Sequence, residues 1–134
     1  YVIEPSIGVD RFFLGIIVDS YQEEQINDES RIVMQLKYEL CPYKVCVLPL
    51  VKKHSESAKE IFDMLIDHDI IATYDEVGSI GKRYRRQDSI GTYWCITYDY
   101  DSINDHSVTI RHRDTMKQDR IKIEDIISYI QNNK

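Results

Sequence analysis

The sequence predicts an α/β fold: a mixed five-stranded sheet, three parallel strands plus an antiparallel pair, flanked by helices. Three observations carry that prediction. KVCVLPL (44–50) is a short, wholly apolar run, the kind buried on both faces of a parallel sheet. Ala58, Ile61, Phe62, Leu65 and Ile66 follow it at i, i+3, i+4, i+7, i+8, the stripe of a helix docked on a sheet. From residue 44 onward the order reads strand, helix, strand, helix, strand, strand, strand, helix. Two right-handed crossovers make three strands parallel, and short connections make the last two antiparallel.

The elements follow in order. Residues 1–7 read as a short strand. Asp10 is placed to cap a helix over roughly 11–25, with Phe12, Phe13, Ile16 and Ile17 on one apolar face. QEEQINDES (22–30) is polar and reads as a loop, and 31–41 as a connector ended by Pro42. Ser57 and Glu60 have the spacing of a capping box. IIATY (70–74) is a second strand. The G-S-I-G turn leads into a helix over about 80–90, which Gly91 ends in a left-handed conformation. YWCITY (93–98) puts Tyr93, Cys95 and Thr97 on one face and Trp94, Ile96 and Tyr98 on the other. Asp99 to His106 is an acidic loop. SVTIR (107–111) and DRIKI (119–123) alternate, so each has one wet face. Glu124 and Asp125 open a last helix, with Ile126, Ile127 and Ile130 inward.

Composition narrows the function classes. The chain has 134 residues, 43% hydrophobic and 30% charged, with net charge −6. That suits one compact domain with an extra element. The longest apolar runs, such as FFLGIIV (12–18), are too short to span a bilayer, so no membrane partner is expected. Opening on YVIEPSIG inside an apparent strand, without an initiator Met, is what a fragment of a longer chain would do. Cys41, Cys46 and Cys95 are odd in number and lack CxxC spacing. This points to a reducing compartment such as the cytoplasm, with no disulfide framework. His54, His68, His106 and His112 have no ligand spacing with these cysteines, so no metal site is expected.

GSIGKRYRRQDSIG (78–91) concentrates Lys82, Arg83, Arg85 and Arg86 in an acidic chain. On a helix, Lys82 repels Arg85 and Arg86 by a few tenths of a kcal/mol each, and it sits near a helix N-terminus, where positive charge is unfavourable. An anionic ligand, phosphate above all, would offset this. Arg111, His112 and Arg113 form a second cluster. Tyr84, Tyr93, Trp94, Tyr98 and Tyr100 are interleaved, and bases stack on such rings. The plainer alternative is a solvated surface run, with Asp88, Asp114 and Asp119 pairing these arginines and the aromatics serving as core.

Two separated stretches resemble one known family. VIEPSIGVDR (2–11) is similar to motif 3 of a class II aminoacyl-tRNA synthetase, in the form used by glycyl-tRNA synthetases. GSIGKRYRRQDSIGTYWCITYDYD (78–101), followed by VTIRHRDTMKQDRI (108–121), resembles the anticodon-binding domain of the same enzymes. PYKVCVLPL (42–50) is similar to that domain's opening strand. The resemblance implies that 1–40 is the end of a class II catalytic domain, with its motif 3 strand and helix and a connector. It implies that 41–134 is the anticodon-binding domain.

The resemblance also implies roles. The intact enzyme would be a glycine–tRNA ligase, using ATP with Mg2+ to attach glycine to tRNA through a glycyl-adenylate, and a homodimer. Arg11 and Gly8 would bind ATP, and Glu4 and Ser6 would hold glycine. Lys82, Arg83, Tyr100, Arg111 and Arg113 would bind the anticodon loop of glycine tRNA, whose anticodons share two cytosines. Asp99 and Asp101 are further candidate acceptors for cytosine amino groups. Motifs 1 and 2 would lie upstream of Tyr1. This part alone would therefore carry no catalytic group, hold no cofactor and be inactive. The alternatives differ in chemistry. Glu4 and Arg11 could be an ordinary ion pair. A non-catalytic synthetase-like subunit of a polymerase would have no reason to keep Glu4, Ser6 and Arg11 together. A free-standing nucleotide-binding domain would need a phosphate-loop spacing that GSIG lacks.

Overall fold

The computed structural model describes residues 2–26 and 28–134. From Val45 onward it has the predicted architecture. Strand β3 (Val45–Pro49) is central among the parallel strands, with β4 (Ala72–Tyr74) on one side and β5 (Trp94–Tyr98) on the other. Strands β6 (Ser107–His112) and β7 (Gln118–Lys122) continue the sheet antiparallel, in the order β4-β3-β5-β6-β7. Helix α2 (Ser55–Asp67) links β3 to β4, and α3 (Ile80–Ile90) links β4 to β5. The short α4 (Ser102–Asp105) follows β5, and α5 (Ile126–Asn132) closes the chain.

The two sheet faces differ. Val45, Val47, Trp94, Ile96, Val108 and Ile110 pack with Ala58, Ile61 and Leu65 of α2 and Ile126 and Ile130 of α5. Each fully buried aliphatic side chain contributes about 1.5–3 kcal/mol, so this face holds most of the apolar stabilisation. The opposite face is thinner. Cys46, Leu48 and Cys95 meet Ile80 and Tyr84 of α3, and the Tyr84 hydroxyl bonds Thr97 Oγ1 at 2.6 Å. Cys46 and Cys95 are register partners on neighbouring strands, both buried.

The N-terminal third departs from expectation. The strand expected over 1–7 includes Tyr1, which lies outside the described residues, and residues 2–8 have no regular structure. Helix α1 spans Val9–Ser20, with Gly8 at its N-cap and Asp10 in the first turn rather than capping it. Phe12 and Phe13 are exposed, and Ile16 and Ile17 are half-buried. The expected loop and connector form a hairpin, β1 (Tyr21–Ile26) with β2 (Glu29–Met34). Asn27 lies outside the described residues, and Asp28 takes φ 65°, which Asp tolerates better than most residues. The hairpin escapes a hydrophobicity reading because it buries Arg31 and Val33 while leaving Ile32 exposed.

Two smaller corrections concern helix ends. Helix α2 begins at Ser55, so Ser57 and Glu60 lie inside it and form no capping box; His54 is the N-cap. The acidic loop contains α4, organised by Asp99, whose Oδ1 accepts from the Asp101 and Ser102 amides, each at 3.1 Å. Gly91 does take the left-handed conformation, at φ 83°. A side chain there would also meet Leu36 Cδ1 at 3.0 Å and the Met34 carbonyl oxygen at 3.1 Å, because the chain leaving the hairpin crosses it closely.

Candidate nucleic-acid interface

The carboxyl ends of β3, β4 and β5 form one rim. It comprises the loop Leu50–His54, the loop Asp75–Ser79 leading into α3, and the loop Asp99–His106. β3 and β5 are neighbours whose onward connections leave to opposite sides, β3 to β4 and β5 to β6, the switch point outside whose carboxyl ends open α/β sheets bind ligands. The Leu50 amide donates to the Tyr98 carbonyl at 2.9 Å and closes the strands beneath it.

Most of the cationic run is spent inside the chain. Arg83 is 7% exposed. It donates through Nε and Nη2 to the Gly78 carbonyl, at 3.0 and 2.8 Å, and through Nη1 to the Pro49 carbonyl. It thereby ties the end of β3 to the turn before α3. Arg85 donates to Glu29 at 2.9 Å, joining α3 to the hairpin. Arg86 makes two bonds to Asp75 Oδ2, at 2.9 and 2.7 Å, and one to the Val77 carbonyl at 2.9 Å. These partners offset within the chain the repulsion that an external anion was expected to relieve. Lys82 is exposed and forms no ion pair or hydrogen bond among the described residues.

The second cluster is also turned inward. Arg111 is 6% exposed, forks onto Asp88 at 2.9 and 3.1 Å, and lies over the Tyr84 ring at 4.8 Å. Arg113 is 2% exposed. It donates to the carbonyls of Gly91 at 3.0 Å and Leu36 at 2.7 Å, and forks onto Asp114. The side chains of Arg83, Arg111 and Arg113, expected at the RNA surface, thus face carbonyls and carboxylates of their own chain. A planar fork with five donors suits such bridging. Asp88 and Asp114 pair as the plainer alternative required, while Asp119 binds Lys117 and the Tyr129 hydroxyl.

Other candidates divide. Asp99 is held by Arg120 at 2.8 Å. Burial pushes its carboxyl up, but hydrogen bonds from Arg120 and Ser102 outweigh that and keep it below the usual range. Asp101 is exposed. Tyr100 is 60% exposed and stands edge-on to the His54 ring, centroids 5.1 Å apart. Lys52 and Lys53 are exposed on the same rim, in the turn after β3. They are not singled out in the sequence reading; the available signal is two lysines directly after a buried parallel strand. Trp94 and Tyr98 are core residues, and Tyr84 and Tyr93 pack partly against the core.

Glu4, Ser6 and Arg11 are exposed and form no hydrogen bond or ion pair among the described residues, so the alternative Glu4–Arg11 pair is absent. Nothing lies within 4 Å of the Cβ position of Gly8. The structure does not gather these four residues into a pocket.

The family model described as "Anticodon binding domain" matches residues 44–133. Glycine–tRNA ligase of Malacoplasma penetrans is 58% identical over 126 residues, 93% of this chain and 27% of that protein. The enzyme of Caldanaerobacter subterraneus is 53% identical over 131 residues, 98% of this chain and 28% of that one. The chain thus spans less than a third of the length of the curated relatives it matches. Among solved structures, the RNA binding domain of threonyl-tRNA synthetase from Cryptosporidium parvum aligns with TM-score 0.64 at 22% identity, covering 68% of this chain and 23% of that one. Histidyl-tRNA synthetase from Nostoc aligns with TM-score 0.65 at 15% identity, covering 68% and 22%. At such identities these two likenesses concern the fold.

Proposed function

The chain belongs to the anticodon-binding domain family, and from that premise we propose that it is the tRNA-reading part of a glycine–tRNA ligase. It holds the anticodon loop of glycine tRNA while an active site in the longer protein joins glycine to that tRNA at the expense of ATP. The observation that carries this reading is identity of 51–58% with glycine–tRNA ligases along 93–98% of the chain, which reaches beyond residues 44–133 on the N-terminal side.

The chemistry supports it. An anticodon loop offers unstacked bases and a bent run of phosphates. Lys82, Lys52 and Lys53 are exposed cations on one rim, and Tyr100 is an exposed ring among them. The lysines take phosphates and Tyr100 stacks a base. Arg83, Arg111 and Arg113 serve this surface from within. They hold the G-S-I-G turn, helix α3 and strand β6 in the geometry the loop meets.

Residues 41–134 form the reading domain, and 1–40 the end of the catalytic domain with its connector. In the longer, dimeric protein Arg11 neutralises phosphate charge and Gly8 lets adenine approach. Their unpaired guanidinium and open backbone fit that use. Glu4 binds the substrate ammonium and Ser6 the remainder of glycine. ATP, brought with Mg2+, supplies the activation of the glycine carboxylate.

Fluorescence anisotropy with an RNA hairpin carrying the glycine anticodon GCC tests the reading. Exchange of the middle cytosine for adenine should weaken binding about tenfold, the usual consequence of losing a base-edge contact. Equal affinity for the two hairpins overturns it.

A further inference from the structure

His54 ends the turn after β3 and is the N-cap of α2. It is 3% exposed, yet neither Nδ1 nor Nε2 has a hydrogen-bond partner among the described residues. Other histidines differ: His68 Nδ1 meets the Met64 carbonyl at 2.8 Å, and His112 Nδ1 accepts from the Asp114 amide at 3.2 Å. An imidazole carries one donor and one acceptor when neutral, and burying both unpaired is costly. Folding alone is better served by an apolar ring here.

The neighbours of His54 identify what would relieve that cost. Its ring is flanked edge-on by Tyr98 at 5.5 Å and Tyr100 at 5.1 Å. Tyr98 is core, whereas Tyr100 is largely exposed and its hydroxyl has no partner among the described residues. Tyr100 therefore stands against the imidazole with no hydrogen bond of its own to anchor it there. The position is the rim outside the carboxyl ends of β3 and β5. Tyr98 also lines a groove of about 580 Å³, together with Ser57, Ile61, Ile103 and His106 among others.

We propose that His54 is a base-reading residue: Tyr100 turns aside to stack on an unpaired base of the bound loop, and a ring nitrogen of His54 hydrogen-bonds that base's edge. This rests on the function proposed above and names a specificity-determining residue within it. The cationic rim supplies affinity for any anionic strand, while the imidazole contact requires a base.

The test uses the whole chain and hairpins with the GCC loop. His54→Phe removes both orphaned nitrogens and keeps a ring. Its melting temperature should be equal to or above that of the parent, while loop affinity falls about tenfold with an unchanged dependence on salt. His54→Gln, which retains a donor and an acceptor, should restore most of the affinity. Hairpins made abasic at single anticodon positions locate the contact: at one position parent and His54→Phe should bind alike. His54→Leu carries the same comparison if Phe does not fold. If the parent prefers GCC over the adenine-substituted loop but His54→Phe or His54→Leu binds as tightly as the parent, the role of His54 is overturned and the function stands. If the parent shows no preference, the function fails and the role of His54 fails with it.

Discussion

Arg31 of β2 and Asp88 of α3 are 57 residues apart in sequence, each about 1% exposed, and meet through Nε and Oδ2 at 2.9 Å. Arg111 grips the same carboxylate from β6 at 2.9 Å. One carboxylate thus joins hairpin, helix and sheet through two buried guanidinium groups. Arg31 also reaches Glu24 on its partner strand at 2.6 Å.

Replacing Asp88 by Asn should be among the most destabilising single changes, because it leaves Arg111 buried without a counter-charge and Arg31 with Glu24 alone. A loss of about 3–5 kcal/mol in urea unfolding is expected. Arg31→Met should cost less, about 1–3 kcal/mol, since Asp88 keeps Arg111. Equal losses would mean that Asp88 does not bridge the two.

Gly91→Ala and Gly78→Ala separate backbone strain from crowding. Both glycines have φ near +84°, but nothing lies within 4 Å of the Cβ position at Gly78, whereas Gly91 is pressed by Leu36 and Met34. Gly78→Ala should lose about 1 kcal/mol from strain alone. Gly91→Ala should lose clearly more by the same unfolding measurement.

Arg120 links Asp99 and Asp105 to β7, and its hydrogen bonds hold both carboxyls below their ordinary range; at Asp105 they are the largest influence. A carboxyl depressed in the folded state adds stability above its unfolded value, about pH 3.9. That contribution is lost as pH falls through the folded value. The melting-temperature gap between parent and Arg120→Ala should therefore be full near pH 6 and shrink as pH falls below about 4. A gap that stays constant would remove the carboxylates from the account.

Lys82 and Arg86 lie one helical turn apart and should respond oppositely. Lys82→Ala should leave the melting temperature nearly unchanged but reduce the salt slope of hairpin binding by about 0.7, one single-strand phosphate contact. Arg86→Ala should lower stability by releasing Asp75 and the Val77 carbonyl, with little change in that slope. A single titration series in salt distinguishes them.

Much of this architecture is legible in the sequence. Buried parallel strands are continuous apolar runs, and Val45–Pro49 is one. Helix α2 declares itself by period and α3 by its terminal glycine; α5 shows in its isoleucines, although it begins at Ile126, with Glu124 and Asp125 in the turn before it rather than in its first turn. The hairpin does not, because its buried positions include Arg31 and its exposed ones Ile32. The cationic run was legible as unusual, but its use was not. Arg83 answers Pro49, and Arg85 answers Glu29, partners that only the folded chain brings near. Local spacing records the repulsion among these cations and says nothing of distant acceptors.

The pairing of Cys46 with Cys95 across β3 and β5 has a practical consequence. Burial pushes both thiols up, Cys95 to about 12, and Cys41 is raised as well. Thiolate, the species that alkylating reagents attack, is scarce at neutral pH in all three. Labelling of Cys46 and Cys95 by iodoacetamide then waits on the sheet's centre coming apart, and the chain carries a native clock for its own opening that needs no added probe.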